Sequence, residues 1–200
     1  MKGLIEKMKK VLPEARFTHV MAVVEEARFL ADELGCNSVD TLIRAAILHD
    51  CTKPLSYAEH ISLAEKYSYT LTENDVRSPE VLHSVTGALA ASHEFGESEE
   101  VATLIFYHTT GKANMSLFEK ILFISDYTEK TRRHESCLAE REHLHNGLKK
   151  ARSNEERMKL LDISALRILE NTVSYLKKKN VFIHPDTICA IDFLKSQGES

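Results

Sequence analysis

Glycine and proline are scarce in this chain, at 7 and 4 of 200 residues. So few breakers leave long uninterrupted stretches, and none of these alternates with the period-two pattern of a half-buried strand. Cysteine is scarce too, and Cys36, Cys51, Cys137 and Cys189 have no CxxC spacing. That excludes a dense disulfide framework and suits reduced thiols. With no signal peptide ahead of them, the expected location is the cytoplasm. No run of 18 apolar residues occurs, so no membrane span is expected. Neither sign of charge dominates: 26 basic against 30 acidic side chains leave a net charge of −4, which argues against a nucleic-acid-binding surface but permits a local basic pocket. At 43% hydrophobic and 28% charged, the chain has the composition of one ordinary globular domain.

What is present is a succession of capped helical patterns. Residues 1–12 read as a short basic amphipathic helix stopped at Pro13. From Arg16 to Leu34 the spacing of Val20, Val23, Val24, Ala27, Leu30, Ala31 and Leu34 is helical, and Gly35 supplies the stop. A third helix, capped near Asn37 or Ser38, carries Leu42, Ala45, Ala46 and Leu48 into His49-Asp50 and must end before Pro54. Ser56-x-x-Glu59 and Ser116-x-x-Glu119 are capping boxes. Ser78-Pro79 opens a helix carrying His83 and Gly87, and Ser98 caps another that runs to His108 and ends at Gly111. Residues 135–150 are polar and read as a solvated helix or a loop. Ser153 starts a long helix to about Lys179, whose Val173-x-x-Leu176 stripe is core, and a last short helix spans Asp186–Lys195. The expected fold is all-α, one compact multi-helix domain over 1–200, with helices at 1–14 and 180–200 as appendages.

Within this frame, titratable side chains sit where apolar helices would bury them. His49-Asp50 ends one apolar run, His19 begins another on its apolar side, and His83, His108 and Asp126 lie inside or at the ends of others. With 10 His and 8 Asp, roughly 0.4 His-Asp pairs are expected by chance, so the dipeptide alone carries little weight. The surrounding set carries more, because buried polar groups must be paired or liganded. Neutral imidazoles from His19 and His49 with carboxylates from Asp50 and Asp126 make a mixed nitrogen and oxygen donor set suited to iron, manganese or zinc. Such an ion would activate water and polarise a phosphoryl group. His83 and His108 could hold a second metal or bind phosphate, and the residues alone do not choose. Arg16, Lys53 and Arg132 flank the ligand segments and suit a phosphate pocket. Thr109, Thr110 and Gly111 read as a helix-terminal turn. His60, His93, His134, His143 and His145 lie in polar surroundings and are expected at the surface. Cys51 reads as a small helix-end residue.

These same segments resemble the HD superfamily of metal-dependent phosphohydrolases, whose core pattern is His…His-Asp…Asp. Within it the chain is similar to the YqeK-type bacterial symmetrical diadenosine tetraphosphate hydrolases. The resemblance runs from Arg16 to about Leu194. It rests on Arg16-Phe17-Thr18-His19, His49-Asp50-Cys51-Thr52-Lys53, Leu82-His83-Ser84-Val85-Thr86-Gly87-Ala88, Tyr107-His108-Thr109-Thr110-Gly111, Met115-Ser116-Leu117-Phe118-Glu119-Lys120 and Asp126-Tyr127.

The resemblance implies an HD-type enzyme that cleaves diadenosine tetraphosphate to two ADP. His19, His49, Asp50 and Asp126 would be metal ligands, with iron favoured over manganese, cobalt or zinc and a second metal possible at His83 and His108. Asp50 and His83 would be catalytic. Arg16, His19, Lys53, His83, His108, Thr109 and Arg132 would face the substrate phosphates. The implied partner is a small dinucleoside polyphosphate, with a homodimer possible. The alternatives are another HD nucleotidase, acting on mononucleotides or guanosine alarmones, and a non-catalytic HD-like signalling module. Where the family commonly reads Asp-Tyr-Ile-Glu-Pro-x-Arg, this chain has Asp126-Tyr127-Thr128-Glu129-Lys130-Thr131-Arg132. Without the proline the helix can run on, which leaves the position of Arg132 open.

Overall fold

The computed structural model describes residues 1–198, and every regular element among them is helical. In chain order these are α1 (Lys2–Val11), α2 (Glu14–Glu33), α3 (Asp40–Leu48), α4 (Tyr57–Lys66), α5 (Glu73–Arg77), a 3-10 turn (Pro79–Val81), α6 (Leu82–His93), α7 (Glu99–Tyr107), α8 (Leu117–Thr128), α9 (Glu135–Lys150), α10 (Asn154–Lys178) and α11 (Pro185–Gly198). The all-α expectation holds.

Helix α3 is the centre. Leu42, Ile43, Ala45, Ala46, Ile47 and Leu48 are all fully buried, and an apolar face this wide, broken only by Thr41 and Arg44 beyond its first residue, must be covered on most sides. Helices α1, α2, α7 and α8 provide that cover, while α6 packs on α7, and α10 packs on α8, α9 and α11. Burial of each such Leu or Ile contributes about 1.5–3 kcal/mol, so the end of α3 is among the firmest places in the molecule. Met8 and Leu12 at one terminus and Ala190, Ile191 and Leu194 near the other also belong to the core.

The local signals explain the helix starts. Ser56 and Ser116 form complete capping boxes with Glu59 and Glu119, and Ser98 and Ser153 accept from the N3 amide. Gly35 and Gly111 adopt φ of +70° and +65°, the left-handed turn that closes a helix. Helix α5 was not expected: it is five residues long with no apolar period, although Thr72 and Asp75 form a third capping box.

Two expectations need correction. The segment 135–150 is neither a loop nor wholly solvated: α9 buries Cys137, Glu140, Leu144 and Leu148. One apolar residue per turn suffices there because Arg167 of α10 neutralises Glu140 at 2.7 Å. His60 and His145 are not surface residues either. His60 is buried and its Nδ1 lies 2.8 Å from Thr86 Oγ1, while His145 is largely covered, with Nε2 2.7 Å from Glu26 Oε1 and its ring against Phe29. Polar neighbours in sequence hid partners supplied by other helices. His93, His134 and His143 are exposed as expected.

Candidate active site

The end of α3 brings the first pieces together. The helix stops at Leu48, and a turn through residues 49–55, with Cys51 N–H donating to the Leu48 carbonyl, aims both His49 and Asp50 at one point. This is how neighbours about 100° apart on a helix can share a site. Helix α6 crosses that turn closely. A Cβ on Gly87 would lie 3.2 Å from Ile105 Cγ2 and 3.4 Å from the His49 carbonyl oxygen, so the crossing leaves little room for a side chain.

Around that turn α2 contributes His19, α6 His83, the end of α7 His108 and α8 Asp126. His19 Nε2 lies 3.0 Å from Asp126 Oδ1, 3.5 Å from Asp50 Oδ2 and 3.4 Å from His49 Nε2. His49 Nε2 is 3.6 Å from Asp50 Oδ2 and 3.9 Å from Asp126 Oδ1. His83 Nε2 is 3.3 Å from Asp50 Oδ1 and 3.2 Å from His108 Nε2. His19, His49 and Asp50 thus form one group able to hold a metal ion, and Asp50, His83 and His108 another, with Asp50 common to both.

The far side of each ring fixes its tautomer. Nδ1 of His49 donates to the Ala46 carbonyl at 2.8 Å, and Nδ1 of His108 to the Ile105 carbonyl at 2.6 Å. Nδ1 of His19 lies 3.1 Å from Glu129 Oε1, a carboxylate with no exposed surface. With the proton held at Nδ1, Nε2 of His49 and of His108 presents a lone pair to the centre, the arrangement metal-binding imidazoles use, and Nε2 of His19 would do so once a cation displaces the proton it shares with Asp126. His83 differs. Its Nδ1 is 3.0 Å from the Glu80 carbonyl and 3.2 Å from Lys53 Nζ, so either tautomer finds a partner. Nitrogen lone pairs converging with two carboxylates in a buried space call for a cation, and this donor set fits a divalent one.

Protonation follows the same geometry. Burial opposes charge on His19, but its bonds to Asp126 and Glu129 prevail and raise it to about 9. Burial, then His49, lowers His108 to about 4. Burial, with His108 and Lys53 beside it, holds His83 well below the ordinary histidine value. Burial opposes ionisation of Asp50 and Asp126 as well, yet the imidazoles around both, and Arg132 beside Asp126, keep them well below the usual carboxylate range.

A cavity of about 650 Å³ opens beside this centre, lined by Arg16, His19, Lys53, Glu129, Arg132 and Arg133 among others. It is a basic pocket in a chain that is net acidic. Arg16 Nη1 bonds Asp50 Oδ2 at 2.7 Å. Arg132 Nη2 bonds Asp126 Oδ1 at 2.6 Å, and its Nε donates to the Asp126 carbonyl at 2.9 Å. Helix α8 does not run on without the proline. It ends at Thr128, Glu129 turns extended at ψ 153°, and its carboxylate accepts from the Thr131 hydroxyl at 2.6 Å. Arg141 of α9 donates to the carbonyls of Thr128 and Glu129. These bonds replace the proline as a helix stop and fold Arg132 back to the site.

The structure therefore gathers His19, His49, Asp50, His83, His108, Asp126, Arg16, Lys53 and Arg132. Thr109 is not brought to the basic cavity: its hydroxyl bonds Ser84 Oγ at 3.1 Å. Sequence reading missed Glu129, Arg133, His134 and Arg141. The spacing of Asp126 and Glu129, one helical turn apart, was the available signal for the first, and nothing local marked the others. Burial, reinforced by Asp50, pushes the Cys51 thiol up to about 12, which disfavours its thiolate.

Comparison with known proteins agrees with this geometry. Residues 16–131 match the family described as HD domain. A protein of Halalkalibacterium halodurans described as bis(5'-nucleosyl)-tetraphosphatase, symmetrical, is 33% identical over 95% of this chain and 94% of its own length. A Bacillus subtilis protein of the same description is 31% identical over 94% of each chain. A crystal structure from Clostridium acetobutylicum, described as a predicted HD superfamily hydrolase involved in NAD metabolism, superposes with a TM-score of 0.84 at 28% identity, covering 98% of this chain and 97% of that one.

Proposed function

The chain belongs to the HD domain family, and we propose that it is a metal-dependent hydrolase that cleaves diadenosine tetraphosphate at its centre to two ADP. The observation that carries this reading is the convergence of Nε2 lone pairs and two carboxylates at the edge of a basic cavity, in a chain similar over nearly its full length to symmetrical tetraphosphatases.

His19, His49, Asp50 and Asp126 are the residues that would hold a divalent ion; the donors suit iron, manganese or zinc, and the family resemblance favours iron. When bound, it supplies water activation and polarisation of the phosphoryl group. The chain's own groups do the rest. Arg16, Lys53 and Arg132 neutralise the phosphate oxygens and fix the central anhydride, and Arg133 extends the cationic wall. His83, neutral and able to carry its proton on either nitrogen, holds a proton toward Asp50 when Lys53 donates to its Nδ1. Asp50 fixes His83 and the ligand set relative to one another. ADP, its charge neutralised, leaves without needing a protein acid. The described free thiols suit a reducing cytoplasm as the place of action.

The test is product identity. Metal-loaded protein given diadenosine tetraphosphate in ¹⁸O-water should yield ADP as sole nucleotide, with one solvent oxygen in one ADP per turnover, and Asp50→Ala should lose both metal and activity. Equal ATP and AMP would mean asymmetric cleavage. Inert dinucleotide beside rapid mononucleotide dephosphorylation would favour a mononucleotidase and overturn the proposal.

A further inference from the structure

A second cavity, of about 600 Å³, meets the first at Arg132 and His134, which line both. Its walls include Asp126, whereas His19 lines the first, so the candidate metal centre lies between the two. Each volume is that of a pocket for one ordinary small ligand, within the range of about 300–1,000 Å³. A substrate acted on at one end would need one such space. One cleaved at its middle needs a space on each side.

We propose that the second cavity is a nucleoside subsite, taking the base and ribose of one half of the dinucleotide while the first cavity takes the other half. The inference rests on the dinucleotide reading above and adds where its second half sits. Three features support it. Tyr175 of α10 lines the cavity and is 55% exposed, which leaves its ring available for a base to stack on. Ser174 on the same helix offers a hydroxyl for the ribose, and the Asn171 amide, paired with the Tyr127 hydroxyl that itself donates to Ser136 Oγ at 2.7 Å, has further donor and acceptor capacity beside it. Lys178 and Arg132 put positive charge in the same walls, suited to the phosphates that join the two halves. In this arrangement the base would lie along α10 with the phosphates directed at Arg132.

Steady-state kinetics and product binding test this together. Tyr175→Ala should raise KM for diadenosine tetraphosphate about tenfold, the scale of one lost base-stacking contact, with kcat within twofold. Tyr175→Phe, which keeps the ring, should restore KM. Calorimetric titration of metal-loaded protein with ADP should find two ADP per chain in the wild type and one in Tyr175→Ala. The titration does not depend on which nucleotide is hydrolysed. If the dinucleotide proves inert but Tyr175→Ala still loses one ADP, the cavity stands as a nucleoside site and the dinucleotide reading falls. Intact dinucleotide hydrolysis with an unchanged KM in Tyr175→Ala, or a single ADP per wild-type chain, overturns the subsite.

Discussion

Of the four histidines at the centre, His49, His83 and His108 are steadied by main-chain carbonyls, and His19 by the Glu129 carboxylate. Main-chain anchors cannot be removed by substitution, so Glu129 is where ligand orientation can be tested without touching a ligand. Glu129→Ala should weaken divalent-metal affinity ten- to a hundredfold, the usual cost of removing such a supporting group, and Glu129→Gln, which keeps an acceptor, should lose less. Direct metal titration reads both, and equal affinity in all three proteins would show that His19 is oriented by packing alone. The cations separate from this. Replacing Arg16 or Lys53 with Ala should cost about 1.5–3 kcal/mol in kcat/KM, the scale of a charge-assisted hydrogen bond, while metal content stays stoichiometric. Kinetics within twofold of wild type for both would place these side chains in solvent during the reaction.

At the scale of elements, the end of α8 depends on a bond from another helix. Arg141 satisfies the Thr128 carbonyl, which a buried helix end would otherwise leave unmet, and adds a second donor to the Glu129 carbonyl beside the Arg132 amide. Arg141→Ala should lower stability by about 2 kcal/mol, seen as a fall in Tm of about 4–8 °C, and should lower activity too because Arg132 loses its path back to Asp126. Unchanged melting would mean water replaces the guanidinium. The contact of α4 with α6 makes a prediction about pH. Burial lowers the pKa of His60 below its ordinary 6.5, so between that value and its folded value the unfolded chain binds a proton that the folded chain does not. Stability therefore falls as pH drops below about 6.5. His60→Gln should flatten this slope by up to one proton when urea midpoints are compared at pH 7.5 and 5.5, and parallel profiles would remove His60 as a contributor.

For the molecule as a whole, the helical class and most helix starts were legible because capping serines and 3.6-residue apolar spacing are local facts. Asp50, His19 and Asp126 were legible because each is a polar group on an apolar face, which demands a partner. Arg141, His60 and His145 were not, since what buries them comes from residues 13, 26 and 119 positions away along the chain. Arg132 was left open for a related reason: its return depends on a stop signal that α9 supplies together with the Glu129–Thr131 turn. In the folded chain Arg16 and Arg132 each clasp a carboxylate proposed for the metal, Asp50 at 2.7 Å and Asp126 at 2.6 Å. A divalent ion drawing on the same carboxylate charge would weaken both clasps and leave the two guanidiniums freer to turn toward phosphate. Linkage makes this reciprocal: whatever draws the arginines away must tighten the hold on the ion by the same factor. Metal titrated in saturating ADP should bind about 5- to 150-fold more tightly than without it, the usual span of such coupling, and equal affinities would show that the two arginines never let go. Ion and nucleotide would then each keep the other from leaving.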